Sequence, residues 1–516
     1  MRAHVRLRRI AVAIAAAGLA GVLGFAPAAS ATTSWSPLES FETGNLTVPA
    51  VASTTSGALL SIAGYDAGSG EELTVFRSSD NGQTWSIGPA LSTNGGTSPS
   101  VAALPNGRVV AAWTQPLQID IFTSTDQLWV ATSTDNGASW SSPVAISEGA
   151  RSPQVAAVGD GAAVTWFKLD GFGSSVSTIL SPDGLTWSEP HQSPSGYVVF
   201  GPAIAVNSTG GIAVGWTESI TESPAGVATK IATYDGTNWS DVLGLVEVHR
   251  DPPFVQLPSL TAAANGDFVM ISQAPIMTDE PVNVSTVSPE GTLVNSSNFT
   301  IPVTANSTQI VRASDGTLVA GWVQPGEFDI DSSSYLSSVV MVRSTDNGLT
   351  WSDPVELTES TLHANAFTLA AGPAGRLFMA FSTSYQPLSG ASSTVYAITS
   401  SDSGASWDTE RMEVGVETGT PFIPPTITLG TATPILTGGF LLSYGTDTGF
   451  IDTVLSGSWR VYTWDLATDT STEPAAVPTS SSLAATGSNL VAGLAAAGLL
   501  ALAGSVLARR ARTGRA

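Results

Sequence analysis

No cysteine occurs among the 516 residues, histidine occurs four times, and lysine and arginine together supply 19 side chains against 42 acidic ones. The first absence removes disulfides, so whatever compact structure forms is held by packing and hydrogen bonds alone. Without thiolates, and with four scattered histidines, the donor set for a transition-metal site is missing, and neither metal nor cofactor is expected. The shortage of positive charge is sharper than the count suggests. Arg2, Arg6, Arg8, Arg9, Arg509, Arg510, Arg512 and Arg515 lie at the two ends, which leaves 11 basic residues against all 42 acidic ones in between. Such a surface repels polyphosphates and anionic lipid, which excludes nucleic acid as a partner.

The ends read as export and anchoring signals. The four N-terminal arginines precede an apolar run from Ile10 to Phe25 and the small-residue pattern Ala29-Ser30-Ala31, a secretory signal peptide over residues 1–31 with cleavage expected before Thr32. At the other end, Leu483-Ala484-Ala485-Thr486-Gly487 is followed by an almost uncharged stretch from Leu490 to Ala508 and then by the basic cluster. Such a stretch is long enough to cross a bilayer, with the arginines holding its end in the cytoplasm. The order resembles a Gram-positive cell-wall sorting signal of the sortase type, in the LAxTG form typical of high-GC actinobacteria. That resemblance implies a cut between Thr486 and Gly487 and attachment of Thr486 to peptidoglycan. Sortase and peptidoglycan are then partners, the mature chain is extracellular, and membrane contact is limited to the C-terminal segment before processing. Residues 467–482 (ATDTSTEPAAVPTSSS) form a Pro/Ser/Thr spacer ahead of the sorting signal at 483–516.

What remains, residues 32–466, is too long for one ordinary core unless it is modular, and it is repetitive. SSDNGQTWS at 78–86 returns as STDNGASWSSP at 133, SPDGLTWSEP at 181, STDNGLTWSDP at 344 and SSDSGASWD at 400. In each, an Asp carboxylate can accept N–H groups one or two residues on, Gly accepts a left-handed conformation, and the Trp is expected to bury a large apolar face. All of this serves a tight turn between strands. A second repeat lies between these phrases: Asn106-GRVVAAWT, Asp160-GAAVTWF, Gly210-GIAVGWTE, Asn265-GDFVMIS, Asp315-GTLVAGWV and Gly375-RLFMAF are hairpin turns feeding alternating strands. Trp113, Trp166, Trp216, Trp322, Phe381 and Tyr444 hold equivalent places and form a stripe expected in the core between units.

The first phrase resembles the Asp-box (BNR) motif of sialidase-like β-propellers. Good copies pair Asp80 with Trp85, Asp135 with Trp140, Asp346 with Trp351 and Asp402 with Trp407; a shorter one has Asp183 with Trp187, a degraded one Asp235 with Trp239, and Ser288-Pro289-Glu290-Gly291 lacks the Trp. The resemblance implies an all-β fold, a single propeller of four-stranded blades, with the boxes between third and fourth strands on the side away from the ligand. Box-to-box spacings of 55, 48, 52, 55, 56 and 56 residues fit such blades. The count is eight units, seven being the next choice and six requiring two units to be decoration. The last unit lacks a fourth strand, and Ser34-Trp35-Ser36-Pro37, which reads like Trp140-Ser-Ser-Pro143, is expected to complete it and close the ring.

The same resemblance invites an exo-alpha-sialidase assignment, which the residues do not carry. Sialidases hold the substrate carboxylate with three Arg, the first in a Phe/Tyr-Arg-Ile-Pro segment; the matching segment here is Leu46-Thr47-Val48-Pro49. A threonine hydroxyl cannot supply the bidentate charge-assisted contact of a guanidinium. A general glycosidase needs two carboxylates facing one cleft, and Asp66, Glu71, Asp170, Glu218 and Asp251 near second-strand ends are candidates that the sequence cannot bring together. Tyr65, Asp66, Arg151, Lys168, Glu218, Arg250 and Gln324 are the candidates for the ligand face, with no catalytic residue assigned. The expectation is a non-catalytic module binding carbohydrate, peptidoglycan or a surface protein; the alternative is an exo-glycosidase of the sialidase-like group with a divergent site.

Overall fold

The computed structural model describes residues 35–37, 41–43, 49–66, 71–118, 124–170, 173–220, 226–248, 258–273, 281–300, 306–329, 334–385, 392–409, 411–418, 426–435, 439–447 and 457–464. The signal peptide, Thr47, the spacer, the sorting signal and the apolar stretch 490–508 lie outside the described residues. Among the described residues no helix is long and apolar enough to cross a membrane.

The molecule is a single β-propeller. Blade one is Ala50–Ser53, Leu59–Asp66, Glu71–Ser78 and Ser86–Ser92, and blade two is Thr97–Ala103, Val109–Gln118, Ser124–Ser133 and Val144–Glu148. Five more four-stranded antiparallel sheets follow in sequence, starting at Ala150, Tyr197, Ser259, Asn306 and Ala364. These are the seven blades that consecutive residues build. A further sheet joins the two ends of the chain: Thr426–Pro434, Phe440–Asp447 and Gly457–Trp464 are completed by Trp35–Pro37 and Phe41–Thr43, both paired with the last strand. Trp35 lies opposite Trp464 and Pro37 opposite Tyr462, so the Trp-Ser-Pro segment takes the place expected of it. Covering that edge removes the unpaired N–H and C=O groups that would otherwise template association.

Why these residues give blades follows from their alternation. In Val109–Gln118 the apolar residues fill both faces, because each blade is sandwiched between two others, and polarity appears only at the strand's far end. Trp113, Trp166, Trp216, Trp322, Phe381 and Tyr444 are all buried. Each sits in a core cluster shared by two neighbouring units: Trp113 with Leu60, Leu73 and Val101, Trp166 with Leu104, Val110 and Val130. The series ends with Val51, Leu59 and Phe76 of blade one packed against Ile435 and Leu441, which closes the ring.

The boxes show how the repeated phrase works, and they correct two expectations. In the first box Asp80 Oδ1 accepts the N–H of Thr84, four residues on, at 2.9 Å, while Asp80 Oδ2 accepts the Thr84 hydroxyl at 2.6 Å. Ser78 Oγ donates to Asp80 at 2.7 Å and accepts the Gly82 N–H at 2.8 Å. The same set recurs at Asp135, Asp346 and Asp402. The carboxylate reaches four residues rather than one or two because two successive left-handed residues, Asn81 (φ 57°) and Gly82 (φ 85°), fold the chain back on itself. In the shorter box Asp183 bonds at two and three residues, to Leu185 and Thr186, and in the degraded one Asp235 does the same, to Thr237 and Asn238. The box tryptophans are half-buried rather than buried, with Trp85 and Trp140 donating to Gly82 O and Gly137 O at 3.2 Å.

What each box covers is the seam to the preceding blade. Trp140 of blade two packs on the cluster shared by blades one and two, and a Cβ on Gly137 would fall 2.5 Å from Leu60 Cδ2. Arg77 Nε of blade one donates to Asn136 O at 3.1 Å, Arg343 Nε to Ser403 O at 3.0 Å, and Thr132 Oγ1 to Gly184 O at 2.6 Å, each bond reaching the next blade's box. Blade four compensates for its degraded box by stacking Trp239 on His191 of blade three at 4.5 Å. Blade five keeps four strands without a box Trp, its turn held by Ser288 N–H to Thr292 O and the paired hydroxyls of the same residues.

Two outcomes follow. Trp166→Ala, which empties an inter-blade cluster, is expected to lower the unfolding free energy by about 3–5 kcal/mol in denaturant titration. The Ser406 hydroxyl and main-chain N–H hold Asp402 at about 2, and main-chain N–H groups of Thr186 and Leu185 hold Asp183 at about 2, both below the ordinary 3.8. A depressed folded value means that stabilisation is complete above the ordinary value and is lost as pH falls towards 2. The melting temperature should therefore drop over that interval, and less steeply in Asp402→Asn.

Candidate functional site

Strand direction divides the ring into two faces. First-to-second-strand hairpins and boxes share one side, as Arg108 Nη1 of a hairpin donating to Asp183 O of a box at 2.7 Å requires. Second-to-third-strand connections and blade-to-blade crossings share the other, and the candidate residues that are described fall there. Tyr65 ends the second strand of blade one, half-buried, with its ring edge-on to Phe76 at 5.8 Å. Asp66 closes the same strand, but its side chain lies outside the described residues, as do those of Glu71 and Asp170. Arg250 and Asp251 lie outside them entirely.

The candidates that are described are engaged mainly with neighbours of their own. Arg151, at the start of blade three, pairs with Asp126 of blade two, Nε to Oδ2 at 3.0 Å, and stays exposed. Lys168 lies opposite Ala150 near the end of its strand and is half-buried. Glu218 is the most heavily used: its Oε2 accepts the Gly196 N–H at 2.9 Å and the Trp216 indole N–H at 3.4 Å, and its Oε1 lies 3.6 Å from Lys230 Nζ. Gln324 Oε1 accepts the Trp322 indole N–H at 3.4 Å. Glu218 is thus brought together with Lys230, and no described contact joins Tyr65, Arg151, Lys168 and Gln324 into one constellation.

Sequence reasoning missed Lys230 and Asp126. The signal for Lys230 was positional: it lies opposite Trp216 in the antiparallel register, on the same face of the blade as Glu218. Asp126 carried no such signal, because its partner belongs to another blade.

Among the described residues several cations are committed elsewhere. Arg77, Arg108, Arg312 and Arg343 donate to main-chain carbonyls, and Arg411 lies over the Tyr396 ring at 5.4 Å. Among the described residues no group of three or more His, Cys, Asp or Glu is placed to hold a metal ion.

No model of a known protein family matches the sequence, and no curated protein matches it. Solved structures with a similar fold include the endosialidase of phage phi92, at 11% identity over 87% of this chain and 72% of that one, TM-score 0.39. The NanB sialidase of Streptococcus pneumoniae aligns at 12% identity over 72% and 68% of the two chains, TM-score 0.36. The α-L-arabinofuranosidase Arb93A of Fusarium graminearum aligns at 13% identity over 60% and 99%, TM-score 0.35. These are similarities to sialidase-like and arabinofuranosidase propellers, and at such values no residue of theirs is carried onto this chain.

Glu218→Ala would leave the Gly196 N–H, the Trp216 indole and Lys230 without their shared acceptor, and should cost about 1–3 kcal/mol of stability in denaturant titration. Glu218→Gln, which keeps an acceptor oxygen, should lose less.

Proposed function

We propose that the mature chain is a secreted propeller, linked to the wall of a Gram-positive cell through Thr486, that binds carbohydrate, peptidoglycan or a surface protein without turning it over. The observation that carries this reading is the disposition of the arginines. Catalysis on an acidic sugar by a sialidase-like site needs guanidinium groups converging at the face opposite the boxes. Here four of the described arginines bond to main-chain carbonyls, one of them between a hairpin and the next box, and Arg151 is neutralised by Asp126. The segment whose first Arg would complete such a site has Thr47 in its place. Glu218, the best-placed carboxylate on that face, is tied to Lys230 and to two N–H donors, an arrangement that positions a loop rather than attacks a substrate.

Binding at this face also agrees with the charge balance. A chain so poor in basic groups favours neutral or cationic ligands, and wall glycans and their peptides offer both. The purified protein should hydrolyse neither a fluorogenic sialoside nor a panel of aryl glycosides, and should retain a glycan or peptidoglycan fragment on an array. Turnover that disappears in Arg250→Ala would overturn the reading in favour of an exo-glycosidase.

A further inference from the structure

The sequence contains six Asn-Gly dipeptides, at Asn81, Asn94, Asn106, Asn136, Asn265 and Asn347. Asn followed by Gly is the pair most prone to spontaneous deamidation, because a residue without a Cβ leaves its amide nitrogen open to the preceding side chain. In that reaction the glycine nitrogen attacks Cγ of the asparagine, an N–Cγ bond forms, and ammonia leaves. Water then opens the resulting succinimide at either carbonyl, giving an aspartyl or isoaspartyl residue. No co-reactant other than water is needed. The glycine nitrogen must be free to lose its proton and approach, so a native hydrogen bond from that N–H opposes the step.

Five of the six glycine N–H groups are held. In the boxes, Gly82, Gly137 and Gly348 donate to Ser78, Ser133 and Ser344 Oγ at 2.8, 2.8 and 2.9 Å. In the hairpins, Gly107 donates to Leu104 O at 3.0 Å and Gly266 to Ala263 O at 3.2 Å. Three of the asparagine side chains are also tied: Asn106 to Arg108 N and Asp160 O, Asn265 to Asp267, and Asn347 to the Asn265 N–H. Asn94 and Gly95 differ. They lie in the crossing from blade one to blade two, with Asn94 exposed, and among the described residues neither the Gly95 N–H nor the Asn94 side-chain amide makes a hydrogen bond. The start of the loop is anchored at Ser92: the Asn94 main-chain N–H donates to Ser92 Oγ at 3.4 Å, and the Ser92 hydroxyl is shared between Gly95 O and Gln115 Oε1, each at 2.8 Å.

We propose that Asn94 is a self-modification site: the folded propeller deamidates there selectively, placing a carboxylate on the face opposite the boxes while its other Asn-Gly turns are protected. The conversion adds a negative charge beside the Ser92–Gln115 bond, at the rim where a ligand would sit. In its isoaspartyl form it also lengthens the main chain by one methylene between the anchored Ser92 and Gly95.

The test is a time course of peptide mapping on the intact purified protein, held at mildly alkaline pH and physiological temperature. The peptide containing Asn94 should gain one mass unit at least about tenfold faster than those containing the other five. In urea-unfolded protein the six rates should converge, since the protecting bonds are gone. Asn94→Gln should remove the early acidic species seen in isoelectric focusing while leaving the melting temperature unchanged. A folded protein in which another Asn-Gly leads, or in which all six keep pace, would overturn the proposal; so would a preference for Asn94 that survives unfolding.

Discussion

A carboxylate that reaches four residues forward, and a serine that stands under it, hold this molecule in shape. Asp80 fixes Thr84 and Ser78 fixes Gly82, and the corners at Asp135, Asp183 and Asp402 offer a carbonyl to the preceding blade. Without cysteine, a ring must be closed by contacts that repeat, and the boxes supply such contacts at the same relative place. The interaction is worth having at a seam because the described hydrogen bonds between blades have a side chain at one end at least. Their hydrogen-bonded ladders run within a sheet and never across two.

The same arrangement explains how a chain with so few basic residues uses them. A guanidinium with one main-chain acceptor and a partly buried stem strengthens a seam without needing a carboxylate partner. Arg77 and Arg343 do this from third strands, and Arg108 does it from a hairpin. Acidic side chains are spent differently. Those of the boxes are saturated with donors, which keeps them ionised far into acid, so the negative charge of the protein is partly a structural device.

Much of this was legible in the sequence, and the parts that were not share one cause. The box phrases, their spacing, the aromatic stripe and the role of Trp35-Ser-Pro in closing the last sheet are local patterns, repeated often enough to be read. The reach of Asp80 to the fourth residue was missed because it depends on Asn81 adopting the left-handed region alongside Gly82, which composition alone does not announce. The box tryptophans were expected deeper than they lie, since their depth is set by the blade before them. Arg151 with Asp126 joins residues that no sequence period links, and Arg77 with Asn136 and Glu218 with Lys230 become readable only once the pairing of strands and blades is known. The site suffered most, because a ligand face is assembled from the tips of many blades, one residue from each.

Those tips can vary for a physical reason. Where a second strand carries the buried aromatic, it fills its seam whatever stands two residues later, so Gln115, Lys168, Glu218 and Gln324 follow Trp113, Trp166, Trp216 and Trp322 without a common chemistry. Trp216 and Trp322 donate to Glu218 and Gln324, two residues on, whereas Gln115 turns instead to Ser92, and the seams pack alike. The repeated stabilising contacts therefore lie at the box face and the aromatics beneath it, whereas the opposite rim keeps only local, non-repeating ones such as those of Glu218. A scaffold divided in this way fixes the fold tightly and leaves the recognised ligand to a handful of exchangeable polar side chains, which is why the architecture alone does not name it.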